Sequence, residues 1–135
     1  MIDRLLSPVP SAQFLAAAMI AILFIQSGLD KVIDFRGNLE WLQGHFAKSP
    51  LRGQVKAMLV TVTVTEVLAG FVSAAGALAI AFDGRTAVAT WGAQLAAANI
   101  VMLFLGQRVA KDYSGAASLV PYFVLCVGTV LLMGL

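Results

Sequence analysis

Four apolar runs, each long enough to cross a bilayer as a helix, dominate this chain of 135 residues. The hydrocarbon core of a membrane is about 30 Å thick, so a helix rising 1.5 Å per residue needs about 20 apolar residues to span it. The runs that reach this length are residues 12–30, 55–82, 86–107 and 115–135. The sequence therefore predicts an all-α integral membrane bundle of four transmembrane helices, with residues 1–135 forming a single membrane domain.

The composition excludes several classes of protein. Hydrophobic residues make up 60% of the chain and charged residues 12%, whereas soluble domains are close to half apolar. The formal charge of +2 is small and the basic residues form no block, so nucleic acid is not an expected partner. A single cysteine, Cys126, allows no internal disulfide, and a single histidine, His45, allows no His/Cys metal cluster. We therefore expect no metal site, and no cofactor is evident from the composition.

The most polar stretch of the chain, Asp34–Arg52, lies between the first two predicted spans. It is too short and too charged to cross the membrane. Leu39, Leu42 and Phe46 recur at helical spacing beside charged neighbours, which is typical of an amphipathic helix at a membrane surface. An interfacial amphipathic segment is therefore expected here, and a solvated loop is the alternative.

Basic residues are unevenly distributed between the two sides of the predicted bundle. Seven lie in or beside the first and third connections, and two lie on the opposite side. Because cytoplasmic loops carry an excess of Lys and Arg, we expect Asp34–Arg52 in the cytoplasm and both termini in the periplasm. The seven are Lys31, Arg36, Lys48, Arg52, Lys56, Arg108 and Lys111, and the two are Arg4 and Arg85.

One acidic residue, Glu66, lies near the middle of the second apolar run. A charge at that depth costs from about 2.5 kcal/mol upward, so it is tolerated when it faces the protein interior, finds a cation or takes up a proton. Lys31 leaves the first span on the same side of the membrane and is the candidate partner. If the two do not pair, we expect a protonated Glu66 that is hydrogen-bonded to Asn99 or Tyr122.

Polar residues of the other spans fall near the same depth. Asn99 and Tyr122 lie at a level comparable with Glu66, and Gln26 and Asp30 share a face of the first span because they are four residues apart. The alternative is a purely structural role, since interhelical hydrogen bonds contribute about 0.6 to 2 kcal/mol each. The candidate intramembrane polar site consists of Gln26, Asp30, Lys31, Glu66, Asn99 and Tyr122. In addition, Gly70 and Ala74 have the four-residue spacing that lets a neighbouring helix approach closely.

Two motifs resemble those of DoxX-type proteins, a family of small four-helix membrane proteins. The segment 24–35 ends an apolar run in Ser-Gly-x-x-Lys, like the exit of that family's first helix, and segment 65–70 resembles its Glu-containing second-helix motif, followed by Gly76. The four-span layout with a polar first connection also fits, so the resemblance covers nearly the whole chain. It implies that Lys31 and Glu66 are motif positions, and that Ser27, Gly28 and Gly70 are their packing companions.

The resemblance implies a location in the bacterial inner membrane and three hypotheses for function. The first is an accessory, partner-binding subunit of a membrane redox or respiratory assembly, with no enzyme activity on its own; its partners would be oxidoreductase subunits or further copies of this chain. The second is a quinone-linked oxidoreductase subunit in which Glu66, Asn99 and Tyr122 line a head-group pocket. The third is a small transporter component, which requires oligomerisation because four spans make a poor path. A roomy polar pocket open to lipid would favour the second hypothesis.

Overall fold

Seven α-helices and no strand occur in residues 2–135, the part of the chain that the computed structural model describes; Met1 lies outside it. Four segments are long and apolar enough to cross a membrane, so the predicted all-α bundle is confirmed and the protein is a multi-pass membrane protein whose outer surface contacts lipid. The helices are α1 (Ile2–Leu6), α2 (Pro8–Ile33), α3 (Phe35–His45), α4 (Val55–Asp83), α5 (Ala87–Val109), α6 (Tyr113–Ala117) and α7 (Val120–Met133).

The first span, α2, begins at Pro8, four residues before the predicted start at residue 12. Pro8 and Pro10 lie in its first turn. Proline is tolerated there because its missing N–H would have no helical partner anyway. The second span, α4, ends where Gly84 adopts a left-handed conformation with φ 72°, as glycine commonly does at helix C-termini.

The fourth span, predicted over residues 115–135, covers Tyr113–Met133 and is interrupted by a turn. It consists of α6 and α7, which are separated by a turn at Ser118 and Leu119. Pro121 lies in the first turn of α7. Proline cannot donate a hydrogen bond to the preceding turn, so the helical hydrogen-bond pattern is interrupted here, while Ser118 and Leu119 keep right-handed helical backbone angles.

The central helix of the bundle is α4, whose main partners are α2 and α5, while α7 packs on α5 and less extensively on α2. Glycines allow α4 and α5 to approach closely. A Cβ added at Gly76 would collide with the backbone of Ala89, and one added at Gly92 would lie 2.8 Å from the backbone nitrogen of Ser73. Small residues thus set the separation of these two helices, as is common in membranes.

The segment between α2 and α4 contains the amphipathic helix α3, followed by turns. The Asp34 side chain accepts a hydrogen bond from the backbone N–H of Gly37 at 3.2 Å and so caps α3. At its other end, His45 Nε2 lies 2.8 Å from Gln107 Oε1 and 3.5 Å from Asp112 Oδ2, and its ring stacks on Trp41. These contacts hold α3 against the polar end of α5.

Candidate intramembrane polar site

Lys31, Ser27 and Glu66 form a compact polar cluster between α2 and α4. Lys31 Nζ lies 3.0 Å from Glu66 Oε2 and donates to Ser27 Oγ at 2.9 Å. Ser27 Oγ in turn donates to Glu66 Oε2 at 3.0 Å. The two alternatives for Glu66 are thereby distinguished: it is paired with a cation, and neither Asn99 nor Tyr122 is hydrogen-bonded to it in the structure.

Two glycines bring the helices close enough for this pair to form. A Cβ at Gly28 would lie 2.8 Å from Val67 Cγ2, and a Cβ at Gly70 would lie 2.7 Å from the backbone nitrogen of Ile25. Gly28 precedes Lys31 by three residues, and Gly70 follows Glu66 by one helical turn. The absence of these two side chains lets α2 and α4 approach at the level of the charges, so a lysine at the end of α2 can reach a carboxylate well inside α4. Ala74, the other member of the predicted small-residue pair with Gly70, is half-buried.

Only one carboxylate oxygen of Glu66 is engaged. Oε2 contacts Ser27 and Lys31, whereas Oε1 has no hydrogen-bond partner within residues 2–135. The side chain of Glu66 is 3% exposed and that of Lys31 is 20% exposed. The pair therefore cancels its charge inside the bundle while leaving one acceptor atom uncommitted.

A polar cavity of about 360 Å³ opens beside this pair, between α2, α5 and α7. All six residues of the sequence-derived candidate site line it, together with Ser27. Its apolar wall includes Phe24, Ile100 and Leu119. Gln26, Asp30 and Tyr122 are exposed on the bundle surface, so the cavity has an open rim formed by α2 and α7. The six candidate residues are Gln26, Asp30, Lys31, Glu66, Asn99 and Tyr122.

The amide of Asn99 is only half satisfied. Its Nδ2 donates to the backbone carbonyl of Val62 at 3.1 Å and to Thr65 Oγ1 at 2.7 Å. Because a carbonyl can only accept, the amide nitrogen must face Val62. Oδ1 is left buried with no hydrogen-bond partner within the described chain. Asn99 thus links α5 to α4. It is one of the residues that line the cavity, and its unpaired Oδ1 is fully buried; an unpaired buried acceptor of this kind costs about 1–3 kcal/mol.

Two further candidates, Gln26 and Asp30, form a pair of their own at the rim. Gln26 Nε2 donates to Asp30 Oδ2 at 2.9 Å, and both residues are exposed. This bond joins neighbouring turns of α2 and makes no contact with the Lys31–Glu66 pair. An exposed polar pair at the end of a span lies where water and lipid head groups can solvate it.

The unpaired polar atoms of the residues that line the cavity are mainly acceptors. Glu66 Oε1 and Asn99 Oδ1 accept only, while the ammonium of Lys31 already donates to Ser27 and Glu66. The hydroxyl of Tyr122, which can donate or accept, adds a third group. A small molecule that supplies hydrogen-bond donors and an apolar ring would match both the polar groups and the apolar wall.

Sequence reasoning missed two features beside this site. The contacts of His45 with Gln107 and Asp112 link segments more than 60 residues apart, and no local pattern signals them. The close approach at Gly92 had a usable signal, because Ala89, Gly92, Ala93 and Ala96 form a stripe of small residues along α5.

No protein-family model matches this chain, and neither the curated proteins nor the solved structures include one that is significantly similar to it.

Proposed function

We propose that this protein is a DoxX-like subunit of a membrane redox assembly in the bacterial inner membrane, and that its polar cavity binds the head group of a quinol. The observation that carries the proposal is the cavity of about 360 Å³ beside the Lys31–Glu66 pair, whose lining combines apolar side chains with Glu66 and Asn99, each of which has one oxygen without a hydrogen-bond partner in the described chain. Its volume falls within the range of about 300–1,000 Å³ that is usual for small-molecule sites.

The reduced form of a quinone fits these groups better than the oxidised form does. A quinol carries two hydroxyl donors on an apolar ring, whereas an oxidised quinone offers only carbonyl acceptors. In the cavity, the carbonyl oxygens of an oxidised quinone would face the acceptor oxygens of Glu66 and Asn99 with no donor between them, which is unfavourable, and the Tyr122 hydroxyl could donate to one carbonyl at most. We therefore expect the cavity to select the quinol.

The small number of side chains that could hold a redox centre supports an accessory role for this chain. It supplies a binding site, but one cysteine and one histidine provide few side chains for holding a redox centre, so a partner protein would accept the electrons. The excess of basic residues at the α3 end of the bundle supports a cytoplasmic location for that end, with both termini in the periplasm. The polar cavity would then open in the cytoplasmic half of the membrane.

The test is a binding titration of a short-chain quinol and its oxidised form to the purified protein in lipid nanodiscs, under anaerobic conditions. Asn99→Leu removes the free acceptor and should weaken quinol binding about tenfold, the equivalent of one hydrogen bond of about 1.4 kcal/mol. Two control variants should bind normally. Thr65→Val removes one structural partner of Asn99 and leaves its free oxygen in place, and Gln94→Leu replaces an exposed amide on the same helix, outside the cavity.

Equal affinity of the wild-type protein for the two redox forms would contradict the proposal. So would an Asn99→Leu variant that stays folded by circular dichroism and binds the quinol as the wild type does.

A further inference from the structure

A second cavity, of about 530 Å³, lies under α3 and between α4 and α5. Its wall is more strongly apolar than that of the polar cavity. Phe46, which covers it, is 5% exposed. The principal apolar residues that line it are Trp41, Leu42, Phe46, Met58, Met102 and Leu105. Protein interiors are close-packed, so a space of this size and character is suited to an apolar occupant.

The two cavities are neighbours. Lys31, Asn38 and Leu103 line both of them, so these side chains form the boundary between the polar and the apolar space. A lysine suits such a boundary because its stem is apolar and its head is charged, and here the head is held at Glu66. A molecule with a polar head and an apolar chain could therefore occupy both cavities at once, passing beside Lys31.

The helix α3, which lies over the apolar cavity, is anchored at its C-terminal end, and flexible side chains line the cavity beneath it. His45 connects the end of α3 to Gln107 on α5 at 2.8 Å, which keeps Trp41 and Phe46 over the space. Inside, Met58 and Met102 provide flexible side chains that can adjust to an irregular chain. Flexible side chains of this kind suit a branched or linear hydrocarbon chain.

We propose that the apolar cavity holds the hydrocarbon chain of the same molecule whose head group lies at the Lys31–Glu66 pair. The ligand is then a single-chain amphiphile, with a neutral hydrogen-bond-donating ring at one end and an isoprenoid-like chain at the other. This proposal rests on the proposed function for the head group, and it adds the path and the class of the chain.

The experiment compares two hydroquinones that share one ring, one with a methyl group and one with a decyl chain, by titration into the protein in identical nanodiscs. Gly106→Leu fills the apolar cavity; a Cβ at this position would meet only Phe46, at 3.7 Å, so the backbone tolerates a side chain. Gly128→Leu is the matched control, because Gly128 lies on an exposed face of α7 with nothing within 4 Å of an added Cβ.

Gly106→Leu should weaken binding of the decyl compound about tenfold, as expected when a chain is forced into a filled space, and should leave binding of the methyl compound unchanged. Gly128→Leu should change neither. A second readout uses a decyl chain with a terminal bromine. It should quench the fluorescence of Trp41 in a Trp91→Phe background, because Trp41 lines the cavity.

The outcomes separate the two proposals. If neither compound binds the wild-type protein, the proposal for the head-group site is wrong, and so is the proposal for the chain site, which depends on it. If the methyl compound binds but Gly106→Leu lowers both affinities equally or neither, only the chain site is overturned. If Gly106→Leu instead releases co-purified phospholipid and leaves decyl binding intact, the cavity holds a lipid acyl chain and this proposal is wrong.

Discussion

Replacing Lys31 should lower the free energy of unfolding more than replacing Glu66 does, and a double-mutant cycle can measure this difference. Removing one partner of a buried ion pair costs about 3–5 kcal/mol when the other is stranded. Lys31→Met leaves Glu66, which is 3% exposed, with Ser27 as its only partner. We therefore expect a loss near the lower end of that range, about 3 kcal/mol in the free energy of unfolding.

Glu66→Gln should be milder, at about 1 kcal/mol. Glutamine keeps an acceptor oxygen for Ser27 and Lys31, and the ammonium of Lys31 is already 20% exposed, so it can turn toward the membrane surface. The double variant strands no charge, and we expect it to lose only about 2 kcal/mol. The coupling energy is then about 2 kcal/mol, within the range of about 0.5–3 kcal/mol observed for residues in contact.

The assay is unfolding by a denaturing detergent in mixed micelles, followed by circular dichroism. Lys48→Met and Glu40→Gln are matched controls, since both residues are exposed and neither forms an ion pair within residues 2–135; each should change stability by less than about 0.5 kcal/mol. Additivity of the two central substitutions within about 0.5 kcal/mol would refute the pairing. A Glu66→Gln loss equal to that of Lys31→Met would refute the asymmetry.

Two further predictions concern packing and topology. Gly70→Ala should lower the free energy of unfolding by about 1–3 kcal/mol, because its Cβ would press on the backbone of α2, whereas Gly128→Ala should not destabilise; equal effects in the same unfolding assay would contradict the close approach. In a Cys126→Ala background, an impermeant thiol reagent added to intact cells should label Asp83→Cys and not Lys48→Cys. The reverse pattern would invert the topology.

The four spans and the level of the polar site were accessible to sequence reasoning because both depend on position along a helix. Hydropathy locates a span, and counting at 1.5 Å per residue locates a side chain within it. Glu66, Asn99 and Tyr122 were placed at one depth in this way, and they line one cavity. The Lys31–Glu66 pair was one of two alternatives, since its formation depends on how closely α2 and α4 approach.

The partners of Asn99 could not be predicted in the same way. Its amide bonds Val62 and Thr65 and not Glu66, because the rotation of α5 about its axis is set by packing contacts such as Gly92 on Ser73. The apolar cavity under α3 could not be predicted from the sequence either. It exists because His45 anchors α3 to a residue 62 positions away, and hydropathy carries no information about such pairings.

The Lys31–Glu66 pair also bears on how the chain enters the membrane during synthesis. Glu66 carries its charge into the middle of α4, where an isolated carboxylate costs roughly 2.5–3.5 kcal/mol on insertion scales. Its counter-charge is on the preceding span, which is made first. If α2 is still beside the insertion machinery when α4 arrives, the two can enter as a hairpin that is already neutral. By this route Lys31 neutralises Glu66 while α4 is being inserted. Loss of Lys31 should therefore reduce the fraction of chains in which α4 enters the bilayer, in addition to lowering the stability of the folded protein.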